Sequence, residues 1–174
     1  MSHTPEHHVA DIVQAAGGRL VSRIRLQKIA YLMDQLGARS GFDFTYYHYG
    51  PYSRDLDSAV LDAEAFQLVK EEFERRKSDG ARYSVFKALC DADAHRFSYL
   101  DEPRLRDLVK QIASTNVTVL ELAATAHWLA TAERVADWEQ EIRRRKGSKT
   151  EGGRLDEAKK LLAQIGLPPA VQTA

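Results

Sequence analysis

The sequence predicts a mainly α fold: a helical domain with a small β-hairpin and a winged-helix-like core (α+β minor). Three observations carry that prediction. Apolar residues recur at three-to-four spacing along most of the chain, as in Leu26, Ile29, Ala30, Met33 and Leu36. The period shortens to two only around 42–49 and 66–89, where aromatic and β-branched residues concentrate. Asp79-Gly80 lies between two alternating runs, the signal of a tight hairpin.

The elements follow in order. Residues 1–8 are polar and are expected to fray. Val9, Ile12, Val13 and Ala16 share one helical face, and Gly17-Gly18 stops that helix. Ser22 is placed to cap the Leu26–Leu36 helix, which Gly37 closes. Phe42, Phe44, Tyr46 and His48 would share one face of an extended segment that Gly50-Pro51 breaks. Ser53 is placed to cap a helix bearing Leu56, Ala59, Val60 and Ala63. Parts of 42–49, 68–76 and 82–88 are expected to form a two- or three-stranded element.

The remainder reads as helical. Pro103 opens an amphipathic run through Leu105, Leu108, Val109 and Ile112. Thr118 and Glu121 have capping-box spacing ahead of Ala124, His127 and Trp128. Val135, Trp138 and Ile142 mark another helix. Leu155, Ala158, Leu161, Leu162 and Ile165 mark the last, stopped by Gly166-Leu167-Pro168. One domain over 9–167, with 168–174 as a tail, is the expected organisation.

At 174 residues the chain can bury a core without metals or disulfides. Lys+Arg and Asp+Glu both count 25, so the net charge is zero. That balance weighs against a protein that coats nucleic acid, and it eases self-association into a homo-oligomer. Cys90 is the only cysteine, so no intrachain disulfide forms and a cytoplasmic location is expected. The first residues lack the apolar run of a signal peptide, and no stretch nears the roughly 20 apolar residues of a membrane span.

Signals for catalysis are weak. Cys90 and His95 fit no nucleophile–base spacing, and a lone cysteine reads as a small packed residue. His3, His7 and His8 have no Cys or His partner at zinc-ligand spacing. His127 lies on an Ala-rich face and reads as packed. Gly147-Ser-Lys-Thr150 echoes a phosphate loop but lacks its leading glycine. Neither an enzyme nor a resident metal or cofactor is expected.

Two patterns remain. Tyr46, Tyr47, Tyr49 and Tyr52 put large amphipathic rings beside a rigid Gly-Pro turn, the composition of protein-binding hot spots. Arg54 follows at a helix start. Gln27 and Lys28 interrupt an apolar stripe, either to order neighbouring loop backbone or because both face water. The second pattern is basic. Arg75, Arg76, Lys77 and Arg82 would crowd the hairpin tip, and Arg143, Arg144, Arg145 and Lys146 run on towards Lys149. A basic wing can grip phosphate, or the charges are solvated and offset by Glu71, Glu72, Glu74, Glu139 and Glu141.

Residues 23–32 (Arg-Ile-Arg-Leu-Gln-Lys-Ile-Ala-Tyr-Leu), Gly41-Phe42 and 46–56 with their Gly-Pro-x-Ser turn resemble the Panacea domain family. That family includes SocA-like antitoxins and YwgA-like bacterial proteins. Ala123–Trp128, Arg143–Gly147 and Leu161–Gly166 resemble the YwgA-like branch more loosely. The resemblance implies a mainly α domain of bacterial or phage origin that binds another protein, often a toxin encoded beside it. It implies no catalysis. The expected function is a protein-interaction regulator, antitoxin-like or adaptor-like, that neutralises or delivers a partner protein. Its surface would centre on Tyr46, Tyr47, Tyr49, Tyr52, Arg54, Gln27 and Lys28, with the outer side of the Leu26–Leu36 helix. The alternative is a winged-helix-like nucleic-acid-binding regulator that uses the two basic clusters.

Overall fold

The computed structural model describes residues 4–169. Helix α1 (Pro5–Ala15) starts on a proline, whose missing N–H costs nothing in a first turn. Gly17 and Gly18, at φ +102° and +87°, turn the chain into strand β1 (Arg19–Val21). Helix α2 (Arg23–Gln35) follows, then strands β2 (Thr45–Tyr47) and β3 (Gly50–Tyr52), and helix α3 (Arg54–Ala65). Strands β4 (Val69–Arg75) and β5 (Arg82–Ala88) form the hairpin around Asp79-Gly80. Helices α4 (Pro103–Ile112), α5 (Val117–Thr131), α6 (Trp138–Lys146) and α7 (Arg154–Ile165) complete the order, with a 3-10 turn at Gly147–Thr150.

The protein is mainly α with minor β, as expected. Strands β1, β5 and β4 form an antiparallel sheet in that order, and β2 pairs with β3 alone. Helix, strand, helix, helix, strand, strand is the winged-helix order, with the β2–β3 hairpin inserted and α4 to α7 appended. No helix among the described residues is long and apolar enough to cross a membrane.

Several expectations are corrected. Residues 5–8 are the first turn of α1 rather than frayed, because His8 is buried against the rings of Phe42 and Tyr99. Residues 1–3, with His3, and residues 170–174 of the expected tail lie outside the described residues. The third strand of the sheet is β1, not 42–49. β1 is only three residues long, too short for its alternation to register, yet it takes the open edge of β5. Gly50-Pro51 does not break the extended segment but pairs back on it, with Tyr46 opposite Pro51. His48 therefore leaves the face of Phe42, Phe44 and Tyr46 and sits exposed in the turn.

Two caps also differ. Asn116, not Thr118, caps α5: its side-chain oxygen accepts from the N–H groups of Thr118 (2.9 Å) and Val119 (3.3 Å). Glu121 is thereby free of capping and sits in a buried turn. Ser53 holds the N-cap position of α3 but makes no capping bond, and its buried hydroxyl has no hydrogen-bond partner among the described residues. Ser22 does cap α2, accepting from Arg25 N–H at 3.3 Å. Val135 precedes α6 instead of lying in it.

The core centres on α5, buried without a break from Val119 to His127 and packed against α2, α6, α7 and β3. Helix α2 is equally enclosed from Leu26 to Met33, so the outer side expected over Leu26–Leu36 is confined to Asp34, Gln35 and Leu36. A second anchor ties the loop before α4 to α1. The fully buried Asp11 carboxylate accepts the N–H groups of Ser98 (2.9 Å), Tyr99 (2.8 Å) and Leu100 (3.0 Å), and meets His95 Nε2 at 2.7 Å.

Asp11→Ala should lower the unfolding free energy by at least about 3 kcal/mol. Each buried N–H left without an acceptor costs about 1–3 kcal/mol. Urea unfolding measures this, and a loss below about 1 kcal/mol would mean that the loop is held by its packing alone.

Candidate functional site

The residues expected to bind a partner come together around the β2–β3 hairpin, but they divide into display and support. Tyr47 and Tyr49 are 54% and 47% exposed, and Arg54 is exposed beyond them. Tyr46 and Tyr52 are half-buried, and Gln27 and Lys28 are buried. The hairpin turn is His48-Tyr49, and Gly50 supplies the positive φ of +93° that closes it. Gly50 is also required by space: a Cβ there would stand 2.4 Å from Thr125 Oγ1 on α5.

Helix α2 supports the hairpin from beneath. Gln27 bonds the Ser53 backbone at both ends, accepting from its N–H (2.9 Å) and donating to its carbonyl (2.9 Å). Its amide also reaches Asp57 Oδ1 at 3.2 Å. Lys28 Nζ donates to the Pro51 carbonyl at 2.6 Å. The segment Gly50–Ser53 thus crosses between α2 and α5 with its backbone secured by side chains.

The rings are ordered by their neighbours. Tyr47 and Tyr52 stack at 5.4 Å between centroids, and Tyr47 lies 4.4 Å from the His48 ring. Tyr52 donates its hydroxyl to Asp57 Oδ2 at 2.5 Å, which pushes the Tyr52 pKa up. Arg145 lies over the Tyr46 ring at 4.8 Å, and Lys149 over Tyr49 at 4.9 Å. Between Ile24, Gln27, Lys28, Tyr47, Tyr49 and Tyr52 opens a cleft of about 220 Å³. A roomier cleft of about 490 Å³ beside His8 and Tyr99 gathers no exposed aromatic rings around a buried charge.

Sequence reasoning missed the acid in this site. Glu121 on α5, with its side chain 4% exposed, receives Lys146 at 2.9 Å and Lys149 at 3.1 Å. A lone carboxylate in the apolar run Val117–Thr131 was the available signal, since such a group is retained inside only with a partner. Burial pushes the Lys28 ammonium down from 10.5 to about 7, aided by Lys146 and Lys149 and opposed by Glu121. Burial alone pushes His127 down from 6.5 to about 4, so it is neutral where its Nδ1 meets the Tyr31 hydroxyl at 2.6 Å.

The two basic clusters differ in how far their charge is spent. Arg143 pairs with Glu139 (3.4 Å), Arg144 with Glu141 (2.5 Å), and Arg145 with Glu133 (2.9 Å) and Glu141 (2.7 Å). The hydrogen bonds from Arg144 and Arg145 hold the Glu141 carboxyl down to about 2. At the β4–β5 tip, Arg76 pairs with exposed Asp79 (2.8 Å), Arg75 donates to the Gly80 carbonyl (3.1 Å), and Arg82 lies over Phe73 (3.8 Å). Lys77 is exposed there. Cys90 is exposed, and His95 is engaged by Asp11 rather than by a thiol.

Folding lowers the Lys28 pKa, so between about pH 7 and 10.5 the unfolded chain holds the extra proton. Stability should therefore rise with pH across that window, by up to about 1.4 kcal/mol per unit. The cost is fully present below about pH 7. His127 acts the same way lower down, and stability should fall as pH drops from 6.5 to about 4. Lys28→Met should abolish its share of the alkaline rise, read as the difference between variant and parent in urea unfolding across pH; identical slopes would contradict the assignment. Glu121→Gln should cost about 3–5 kcal/mol in the same assay, because it strands the buried Lys146 ammonium. No protein-family model and no curated protein matches the chain.

Proposed function

We propose that this chain is a protein-interaction regulator of the Panacea type, antitoxin-like or adaptor-like, that grips its partner protein with the β2–β3 hairpin. The observation that carries this reading is the pairing of exposed Tyr47 and Tyr49 with a turn clamped from below by Gln27, Lys28 and Thr125. Rings held in place before contact lose little conformational freedom on binding, which is the property of an anchor. Bound there, the domain would occlude a working surface of its partner or carry the partner elsewhere. The resemblance of residues 23–32 and 46–56 to that family supports the same reading, with a toxin encoded alongside as one such partner.

A second reading rests on the β1-β5-β4 sheet, whose tip carries exposed Arg75, Arg76, Lys77 and Arg82. A wing of that kind can straddle phosphates. The helix that would enter the groove argues against it. α3 carries Asp55, Asp57, Asp62 and Glu64 against the single cation Arg54.

Tyr47→Ala and Tyr49→Ala should each leave unfolding within about 0.5 kcal/mol of the parent, as exposed positions do. Each should weaken partner binding by about 2 kcal/mol or more, roughly 30-fold. A photo-crosslinking residue at position 47 identifies the partner in the native host, and calorimetry with that purified protein gives the affinities. Parent-like binding by both variants would remove the hairpin from the interface. Tight duplex DNA binding that collapses between low and moderate salt would move the assignment to the wing.

A further inference from the structure

The charges beside the tyrosine hairpin do not balance. Lys28, Lys146 and Lys149 gather around one carboxylate, Glu121. Lys146 and Lys149 each bond that carboxylate directly, whereas among the described residues Lys28 donates only to the Pro51 carbonyl. An ammonium has three donors, and this one belongs to a residue only 1% exposed. Burying it with a single acceptor is costly, so its pKa falls to about 7, and an acceptor arriving from outside would hold the charge in place.

The cleft lined by Lys28 offers that route. Its other polar groups are engaged: Gln27 with Ser53 and Asp57, Arg23 with Glu71 and Asp57, and the Tyr52 hydroxyl with Asp57. Asp57 is thus engaged by three neighbours, of which Arg23 alone is charged. The Tyr47 and Tyr49 hydroxyls make no hydrogen bond among the described residues. The one carboxylate in the cleft's lining, Asp57, is occupied by those three neighbours and makes no hydrogen bond or ion pair with Lys28 among the described residues, and the remaining walls are Ile24 and aromatic rings.

We propose that this cleft is a socket for an acidic side chain of the partner protein, its carboxylate meeting Lys28 and its methylenes lying between Tyr47 and Tyr49. The inference rests on the partner-binding reading above and names the chemistry of the contact. A recess of about 220 Å³ suits one side chain. A polyanion needs a row of exposed cations instead, and the arginines on α6 are already matched by Glu133, Glu139 and Glu141.

The test uses two blocked peptides, acetyl-Gly-Glu-Gly-amide and acetyl-Gly-Gln-Gly-amide, and free glutarate. The readout is the Lys28 ε-carbon NMR signal, assigned by its loss in Lys28→Met. The groups facing Lys28 are Arg23 on α2, Asp57 on α3, Glu121 on α5, Lys146 on α6 and Lys149 on the 3-10 turn. The Glu peptide should move the signal and raise its titration midpoint, while the Gln peptide leaves it in place. Affinity for the Glu peptide should fall about 15-fold from about pH 7 to about pH 8.5, following a lysine that titrates at about 7.

Against the partner captured at position 47, Lys28→Met should bind at least about 30-fold more weakly, as loss of a desolvated charge contact does. Lys28→Gln, which keeps a donor for Pro51, replaces it if the methionine variant does not fold. If the captured partner binds both variants like the parent and neither peptide moves the signal, the socket is wrong and the hairpin interface stands. If nothing is captured but glutarate moves the signal as strongly as the Glu peptide, the ligand is a small free carboxylate, and both the protein side chain and the partner reading fall.

Discussion

A stretch of backbone has to cross the core, and its polar groups must be satisfied there. Residues 50–53 pass between α2 and α5, where neither helix has free backbone groups to offer and water is excluded. Helix α2 answers with two consecutive side chains. Gln27 imitates a neighbouring strand by accepting from and donating to Ser53, and Lys28 takes the carbonyl of Pro51, a residue with no N–H of its own. Helix α5 answers with close approach, since only a glycine fits between position 50 and Thr125. The exposed hairpin is anchored because its base is buried and hydrogen-bonded. Display of Tyr47 and Tyr49 follows from a constraint deep inside the fold.

Placing Lys28 there creates an electrostatic problem whose consequences reach the C-terminal helices. An ammonium among apolar neighbours favours a nearby carboxylate, and α5 supplies Glu121. Glu121 then draws Lys146 and Lys149, which fixes how the end of α6 and the 3-10 turn sit against α5. Lys146 also donates to the His48 carbonyl at 3.2 Å, so the hairpin turn is tied to α6 as well as to α2. The basic run that reads in sequence as a phosphate-gripping patch is, in three dimensions, paired along its length with carboxylates, at the surface for Arg143 and Arg144 and inside for Lys146. Surface pairs such as Arg143 with Glu139 add little energy each, but they set a carboxylate beside each arginine.

Helices with long apolar periods were legible, as was the Asp79-Gly80 hairpin, because each is encoded by local pattern. What escaped detection depends on contacts distant in sequence. Strand β1 is a strand only because β5, more than sixty residues away, pairs with it. Thr118 and Glu121 satisfy the capping-box pattern, but Asn116 is a better acceptor two residues earlier, and tertiary packing then claims Glu121. The tyrosines were legible as a cluster, whereas their division into exposed Tyr47 and Tyr49 and half-buried Tyr46 and Tyr52 depends on the two-residue turn. Lys28 illustrates the limit best. Its place in an apolar stripe marked it as unusual, but a wet face and a buried clamp share that pattern.

The winged topology and the partner-binding proposal are compatible, because a fold sets positions and side chains set chemistry. In a nucleic-acid reader the second helix of the pair and the wing tip present cations to a groove. Here the corresponding helix, α3, presents carboxylates at Asp55, Asp57, Asp62 and Glu64, and an inserted hairpin precedes it. The insertion occupies the turn between the two helices, so it displaces the very geometry a groove reader uses. It puts tyrosines where the turn would be and supports them on a buried lysine. A helix pair altered in that way keeps its packing core while its second helix carries more acidic than basic residues. On the proposed reading, what it gains is an aromatic edge above a charged recess, a surface suited to another protein's side chains.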